Sequence, residues 1–133
     1  MAKIVFCEDE KMLQTLYSAF LRTMGHEVHM VANGFEGLAL IERERPDVIL
    51  TDISMPGLDG FALAAVIRGK PMLASIPIIF VTAFAQKQDR EEAARYAPIS
   101  YLVKPFTKAA LRETIAAVLR GESDESTPPT KRF

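Results

Sequence analysis

Val48-Ile49-Leu50-Thr51 is a short, apolar, β-branched run that stops at Asp52, and the loop Ile53-Ser54-Met55-Pro56-Gly57-Leu58-Asp59-Gly60 follows it. A short, continuously apolar run reads as a strand buried on both faces, as the strands of a parallel sheet are. Working outward, Ile4–Cys7, Val28–Ala32, Ile76–Val81 and Ile99–Val103 have the same character. Around them lie five stretches with helical spacing, about 10–24, 34–44, 58–69, 86–96 and 106–120. In the first, Met12, Leu13, Leu16, Tyr17, Phe20, Leu21 and Met24 recur at helical intervals before Gly25, a stop signal. In the last, Leu111, Ile115, Val118 and Leu119 make one stripe before Gly121. Five strands alternating with five helices predict an α/β sandwich with helices on both faces of the sheet.

A chain of 133 residues accommodates one domain, predicted over residues 1–120. From residue 121 to 133 the composition turns polar, with Pro128-Pro129, and predicts a disordered tail or the start of a linker. Sixteen basic against seventeen acidic residues leave a net charge of −1, so nothing favours nucleic acid or an anionic membrane as a direct partner. A single cysteine, Cys7, excludes an internal disulfide framework. No apolar run approaches the roughly 18 residues of a membrane span. Only Ile4–Cys7 precedes the acids Glu8, Asp9 and Glu10, so no signal-peptide core is expected. The expectation is a soluble, cytoplasmic domain.

In an open parallel sheet, ligands bind beyond the carboxyl ends of the strands. The first run leads into Glu8-Asp9, the third into Asp52, the fourth ends at Thr82, and the fifth leads into Lys104 before Pro105. Only the second brings nothing comparable. Each residue alone has a plain reading. Glu8 or Asp9 could cap a helix, Thr82 could be an ordinary β-branched strand residue, and Lys104 a surface charge. Together, three carboxylates and one ammonium leave a net −2 that calls for a counter-ion. Oxygen donors of this kind suit a hard cation such as Mg²⁺. A lysine beside them points to a substrate bearing phosphoryl oxygens.

Four motifs stand in register at four strand ends: Glu8-Asp9, Asp52-Ile53-Ser54-Met55-Pro56-Gly57-Leu58-Asp59-Gly60, Val81-Thr82-Ala83 and Tyr101-Leu102-Val103-Lys104-Pro105-Phe106. Over about residues 3–120 they resemble the receiver domain of two-component response regulators, of the single-domain, chemotaxis-regulator-like kind. The resemblance implies a flavodoxin-like (βα)5 doubly wound sheet of strand order 2-1-3-4-5, with its switch point between the first and third strands. It implies that Asp52 accepts a phosphoryl group from a sensor histidine kinase or histidine phosphotransfer protein. Glu8, Asp9, Asp52 and the backbone carbonyl of Ser54 would hold Mg²⁺. Lys104 would pair with the phosphoryl group, its bond to Pro105 cis, while Thr82 donates its hydroxyl and Ala83 leaves room. Tyr101 holds the place of the switch aromatic. By the same resemblance the chain is a signalling receiver rather than an enzyme, promoting only its own phosphoryl transfer and dephosphorylation. It would switch the binding of an output protein or of an output domain outside this chain, without direct contact to nucleic acid or membrane.

Two departures from the family pattern stand out. Ala97-Pro98-Ile99-Ser100 replaces the usual Gly-Ala followed by acids, which predicts a stiffer or displaced loop before the fifth strand. Phe84 is bulky at a loop position facing the site. Rival readings fare worse. A phosphatase of the haloacid-dehalogenase type needs a second Asp where Ser54 stands. A flavin or nucleotide carrier needs a phosphate cradle where Glu8-Asp9-Glu10 would repel one. A pseudo-receiver would not keep Glu8, Asp9, Asp52, Thr82 and Lys104 together. Cys7 reads as a small core residue, the charged run from Lys87 to Arg95 reads as a solvated helix face, and His26 and His29 show no partner constellation.

Overall fold

Strand and helix alternate from end to end in the computed structural model, which describes residues 1–83 and 86–122. The elements are β1 (Lys3–Cys7), α1 (Lys11–Thr23), β2 (Glu27–Val31), α2 (Gly34–Glu44), β3 (Val48–Asp52), α3 (Gly60–Gly69), β4 (Ile78–Thr82), α4 (Lys87–Ala94), β5 (Ile99–Val103) and α5 (Lys108–Leu119). All five strands are parallel, in the order β2-β1-β3-β4-β5. The implied sheet order is therefore the observed one.

Period-two alternation divides the core into two layers. Ile4, Phe6, Val48, Leu50, Ile79 and Val81 point to one face, where Tyr17 and Leu21 of α1 and Leu111, Ile115 and Val118 of α5 cover them. Val5, Cys7, Ile49, Ile78, Phe80 and Ile99 point to the other, under Ile41 of α2, Leu63, Ala64 and Ile67 of α3, and Ala93 of α4. Cys7 is fully buried there, and burial pushes its thiol pKa up to about 12, as expected of an inert core thiol. Leu119 departs from the predicted stripe, standing 45% exposed while Val118 takes the inward position.

Hydrogen bonding sets the element ends. Asn33, Asp59 and Thr107 each accept a backbone N–H three residues on, which starts α2 at Gly34 as expected and starts α3 and α5 two residues later than apolar spacing alone suggests. The run from Ile76 begins pairing only at Ile78, because the Ile76 N–H is spent in a turn on Leu73 and Pro77 has none to give. Gly25, at φ +90°, ends α1 as predicted. Ala97–Pro98 and Lys104–Pro105 are both cis. No helix among the described residues is long and apolar enough to cross a membrane.

Candidate functional site

β1 and β3 lie side by side, yet α1 leaves β1 over one face of the sheet and α3 leaves β3 over the other. Their carboxyl ends therefore open a crevice between diverging connections. Asp52, the last residue of β3, pairs with Val81 of β4. The loop after it is pinned by Ile53 N–H to the Val81 carbonyl at 3.2 Å and by Gly60 N–H to the Ile53 carbonyl at 2.9 Å. Gly60 must be glycine, since any side chain there would strike the Asp52 carbonyl. On the other side of the crevice, Glu8 N–H donates to the Val31 carbonyl at 2.9 Å, and the Gln14 side-chain amide donates to the Glu8 carbonyl at 2.6 Å. One Glu8 carboxylate oxygen, Oε2, accepts from Glu10 N–H at 2.9 Å. The N-cap of α1 is Glu10, and it makes no side-chain cap bond among the described residues. Asp9 is thus not a helix cap.

Lys104 enters from β5. Its backbone N–H donates to the Thr82 carbonyl at 2.7 Å, and its Nζ lies 2.8 Å from Glu8 Oε1 and 2.9 Å from Asp52 Oδ1. Glu8 is 0% and Asp52 4% exposed. Despite the ion-pair distances, neither Glu8 Oε1 nor Asp52 Oδ1 has a well-aligned hydrogen-bond partner among the described residues. Two buried carboxylate oxygens are held by charge alone, an arrangement that costs several kcal/mol unless something further satisfies them, by order of magnitude. Burial pushes the Asp52 pKa up to about 7; the Lys104 ammonium beside it opposes this and the Glu8 carboxylate adds to it. For Lys104, burial would lower the pKa, but Glu8 and Asp52 outweigh it and hold the ammonium above its usual value. Glu8, Asp9 and Asp52 each bring one oxygen to within 4.8 Å of the others. Orphaned oxygens, hard donors and excess negative charge fit a divalent cation.

These groups line a cleft of about 220 Å³ together with Glu10, Ser54, Val81, Thr82 and Ala83. Among the described residues, Glu8, Asp9, Asp52, Ser54, Thr82, Ala83 and Lys104 are all brought to this cleft, and Tyr101 is not. That residue lies along β5, where its hydroxyl donates to the Arg90 carbonyl at 3.0 Å and the Arg90 guanidinium sits 4.6 Å from its ring centroid. It ties β5 to α4. A larger groove of about 570 Å³ runs along β5 and α5, lined by Ser100, Tyr101, Glu113, Thr114, Arg120 and Glu122 among others; its Arg120 and Glu122 pair with each other at 2.9 Å on the exposed surface. Phe84 and residues 123–133 lie outside the described residues.

Some contacts were not foreseen. Gln14, which no motif singles out, braces the Glu8 carbonyl through its side-chain amide. Tyr17 reads as one more apolar stripe position, yet its ring stacks between Phe6 and Phe106; an aromatic where an aliphatic would suffice was the available signal. His29 does have partners, contrary to expectation. Its Nε2 lies 2.7 Å from Glu27 and 3.9 Å from Glu44, because alternate strand residues share a face that α2 covers. Both Glu44 oxygens are engaged as well by Lys3 and Arg43.

The family model described as the response regulator receiver domain matches residues 4–116. Protein PilH of Pseudomonas aeruginosa is 38% identical over 121 residues, covering 91% of this chain and 100% of its own length. The transcriptional regulatory protein AfsQ1 of Streptomyces coelicolor is 35% identical over 96% of this chain, which spans only 55% of that longer protein. Among solved structures, the chemotaxis protein CheY4 of Vibrio cholerae superposes with a TM-score of 0.85 at 30% identity, over 89% of this chain and 98% of its own. The receiver domain of a Pseudomonas aeruginosa sensor histidine kinase superposes with a TM-score of 0.81 at 36% identity, over 91% and 98%. That structure has a magnesium ion coordinated in its active-site cleft.

Proposed function

This chain belongs to the response regulator receiver domain family, and we propose that its Asp52 accepts a phosphoryl group from a phosphohistidine of a sensor histidine kinase or histidine phosphotransfer protein. The observation that carries the proposal is the convergence of Glu8, Asp9 and Asp52 in one cleft, with Lys104 Nζ within 2.9 Å of two of them. In the transfer, an Asp52 carboxylate oxygen attacks phosphorus as the P–N bond breaks. The departing imidazole keeps the electron pair and takes a proton from solvent, leaving an acyl phosphate on Asp52.

The attacking group must be the carboxylate anion. Burial alone would keep Asp52 protonated near neutral pH, and the Lys104 ammonium counters that by stabilising the anion. The Glu8, Asp9 and Asp52 carboxylates and the Ser54 carbonyl would hold Mg²⁺, which when bound neutralises charge on the transferring oxygens. As charge moves onto the phosphoryl group, Lys104 follows it, since its ammonium already bridges the acceptor carboxylate. Thr82, at the end of β4, donates its hydroxyl to a phosphoryl oxygen, and Ala83 beside it leaves the space clear. The product adds about −1.5 to −2 charges at the β4 end. Tyr101, tied to α4 through Arg90, is the aromatic placed to answer that change and alter the binding of an output partner.

The test is intact-mass measurement after incubation with Mg²⁺ and a small acyl phosphate donor. One added phosphoryl group is expected on the native chain and none on Asp52→Ala. Equal labelling of the two would overturn the assignment.

A further inference from the structure

We infer that Tyr17 is a positioning residue for Lys104, acting through its stack on Phe106. The inference rests on the phosphoacceptor reading for its catalytic consequence, though not for its geometry. Lys104 comes from a loop, and a flexible four-carbon stem must place its Nζ between two buried oxygens. Phe106 follows two residues later, and its ring lies 4.4 Å from that of Tyr17 at an interplanar angle of 17°. On the other side, Tyr17 lies 5.6 Å from Phe6 at 6°. Phe6 belongs to β1, two residues before Glu8. Tyr17 thus links the strand that delivers Glu8 to the loop that delivers Lys104.

The middle ring is fixed. Tyr17 is 2% exposed and sits in the same core layer as Leu21, Leu111 and Ile115, while Phe106 is partly buried against that layer. A leucine at position 17 would fill the layer but offer no flat face to Phe106. Burial raises the Tyr17 pKa, and the charges of Lys104, Glu8, Asp52 and Glu10 act on the hydroxyl after it. The hydroxyl has no hydrogen-bond partner among the described residues, so the stack rather than the O–H holds the loop. Phenylalanine should therefore serve where leucine does not.

The experiment compares Tyr17→Leu, Tyr17→Phe and Phe106→Leu in the full chain. The readouts are phosphorylation rate with a small acyl phosphate, Mg²⁺ affinity, and the NMR signal of the Lys104 ammonium in ¹⁵N-lysine-labelled protein. Misplacing a catalytic group by a fraction of an ångström to one ångström predicts a rate loss on the order of tenfold for Tyr17→Leu and Phe106→Leu, and less than about twofold for Tyr17→Phe. The two leucine changes combined should cost little more than either alone, because they break one contact. Mg²⁺ affinity should not fall in any of the three, since moving the Lys104 ammonium only takes positive charge away from Glu8 and Asp52; a fall in affinity along with the rate would mean a general loss of structure and overturn the inference. The Lys104 signal should move in the leucine variants and stay in Tyr17→Phe. An unmoved Lys104 signal with a native rate in both leucine variants would overturn the inference. If the native chain takes no phosphoryl group at all, the phosphoacceptor reading fails, and the Lys104 signal still decides the role of Tyr17.

Discussion

Two cations of this molecule are drawn out of water, and they are treated in opposite ways. Arg68, near the end of α3, donates Nε to the Tyr96 carbonyl at 2.8 Å, Nη1 to Ala74 and Ile76 at 2.9 and 2.7 Å, and Nη2 to Pro98 at 3.0 Å. Burial pulls its pKa down to about 10, and neutral carbonyls satisfy it in a closed fork. It stitches together the connections that lead into β4 and β5, including the loop at Pro98 that departs from the family pattern. Lys104, at the other edge of the sheet, faces two charged oxygens that no well-aligned hydrogen bond completes. A closed set of donors and acceptors marks a structural joint. An open set with surplus negative charge marks a place for something else to bind.

The largest expected effect breaks the open side. Loss even of an outer-shell partner costs a metal site about 10–100-fold, so replacing the ligand itself in Asp9→Ala should weaken Mg²⁺ binding by at least on the order of a hundredfold. Asp9 is exposed, so its removal should shift folding stability by less than about 0.5 kcal/mol. A calorimetric Mg²⁺ titration unchanged by the substitution would return the acids to a merely structural role. The next effect breaks the closed side. Arg68→Met should cost about 2–3 kcal/mol in chemical denaturation by orphaning carbonyls at two turns, and should leave phosphoryl labelling intact. A stable variant that fails to label would reverse the contrast between the two cations.

A smaller effect sharpens the electrostatics. The folded Asp52 pKa, raised by burial to about 7, lies above its ordinary 3.8. Between those values the folded chain keeps a proton that the unfolded chain has released. Metal-free stability contributed by this group is therefore present at low pH and lost as pH rises through the window. Asp52→Asn removes the dependence, so its Tm advantage over the native chain should grow from about pH 4 to about pH 7 and then level off. A constant difference would mean that Asp52 ionises normally. Smallest of all is Lys70→Ala, which breaks the exposed 2.9 Å pair with Glu42 and should cost no more than about 1 kcal/mol. Labelling should be unchanged.

Much of this contrast was legible in the chain itself. β1, β3 and β4 read clearly because burial on both faces leaves no polar interruption, and the site residues read clearly because parallel topology brings strand ends to one edge. Leu119 misled because α5 carries apolar residues at two adjacent positions, and helical phase alone does not say which one turns inward. Arg68 and Tyr17 stayed hidden for another reason. Each acts on partners that folding alone brings close: Arg68 reaches a carbonyl 30 residues away, and Tyr17 an aromatic ring beyond β5. The Glu27–His29–Glu44 group joins a strand to the end of a helix in the same way.

The claim that the open edge is a phosphoacceptor is tested most directly by locating the modified atom. The chain is treated with a small acyl phosphate and Mg²⁺, reduced with borohydride and sequenced by mass spectrometry, since reduction turns an aspartyl phosphate into homoserine. Homoserine at position 52, dependent on both donor and Mg²⁺, is the predicted result. Reduction at Asp9 or Glu8 instead, or a stable phosphoester on Ser54 or Thr82 with Asp52 untouched, would contradict it.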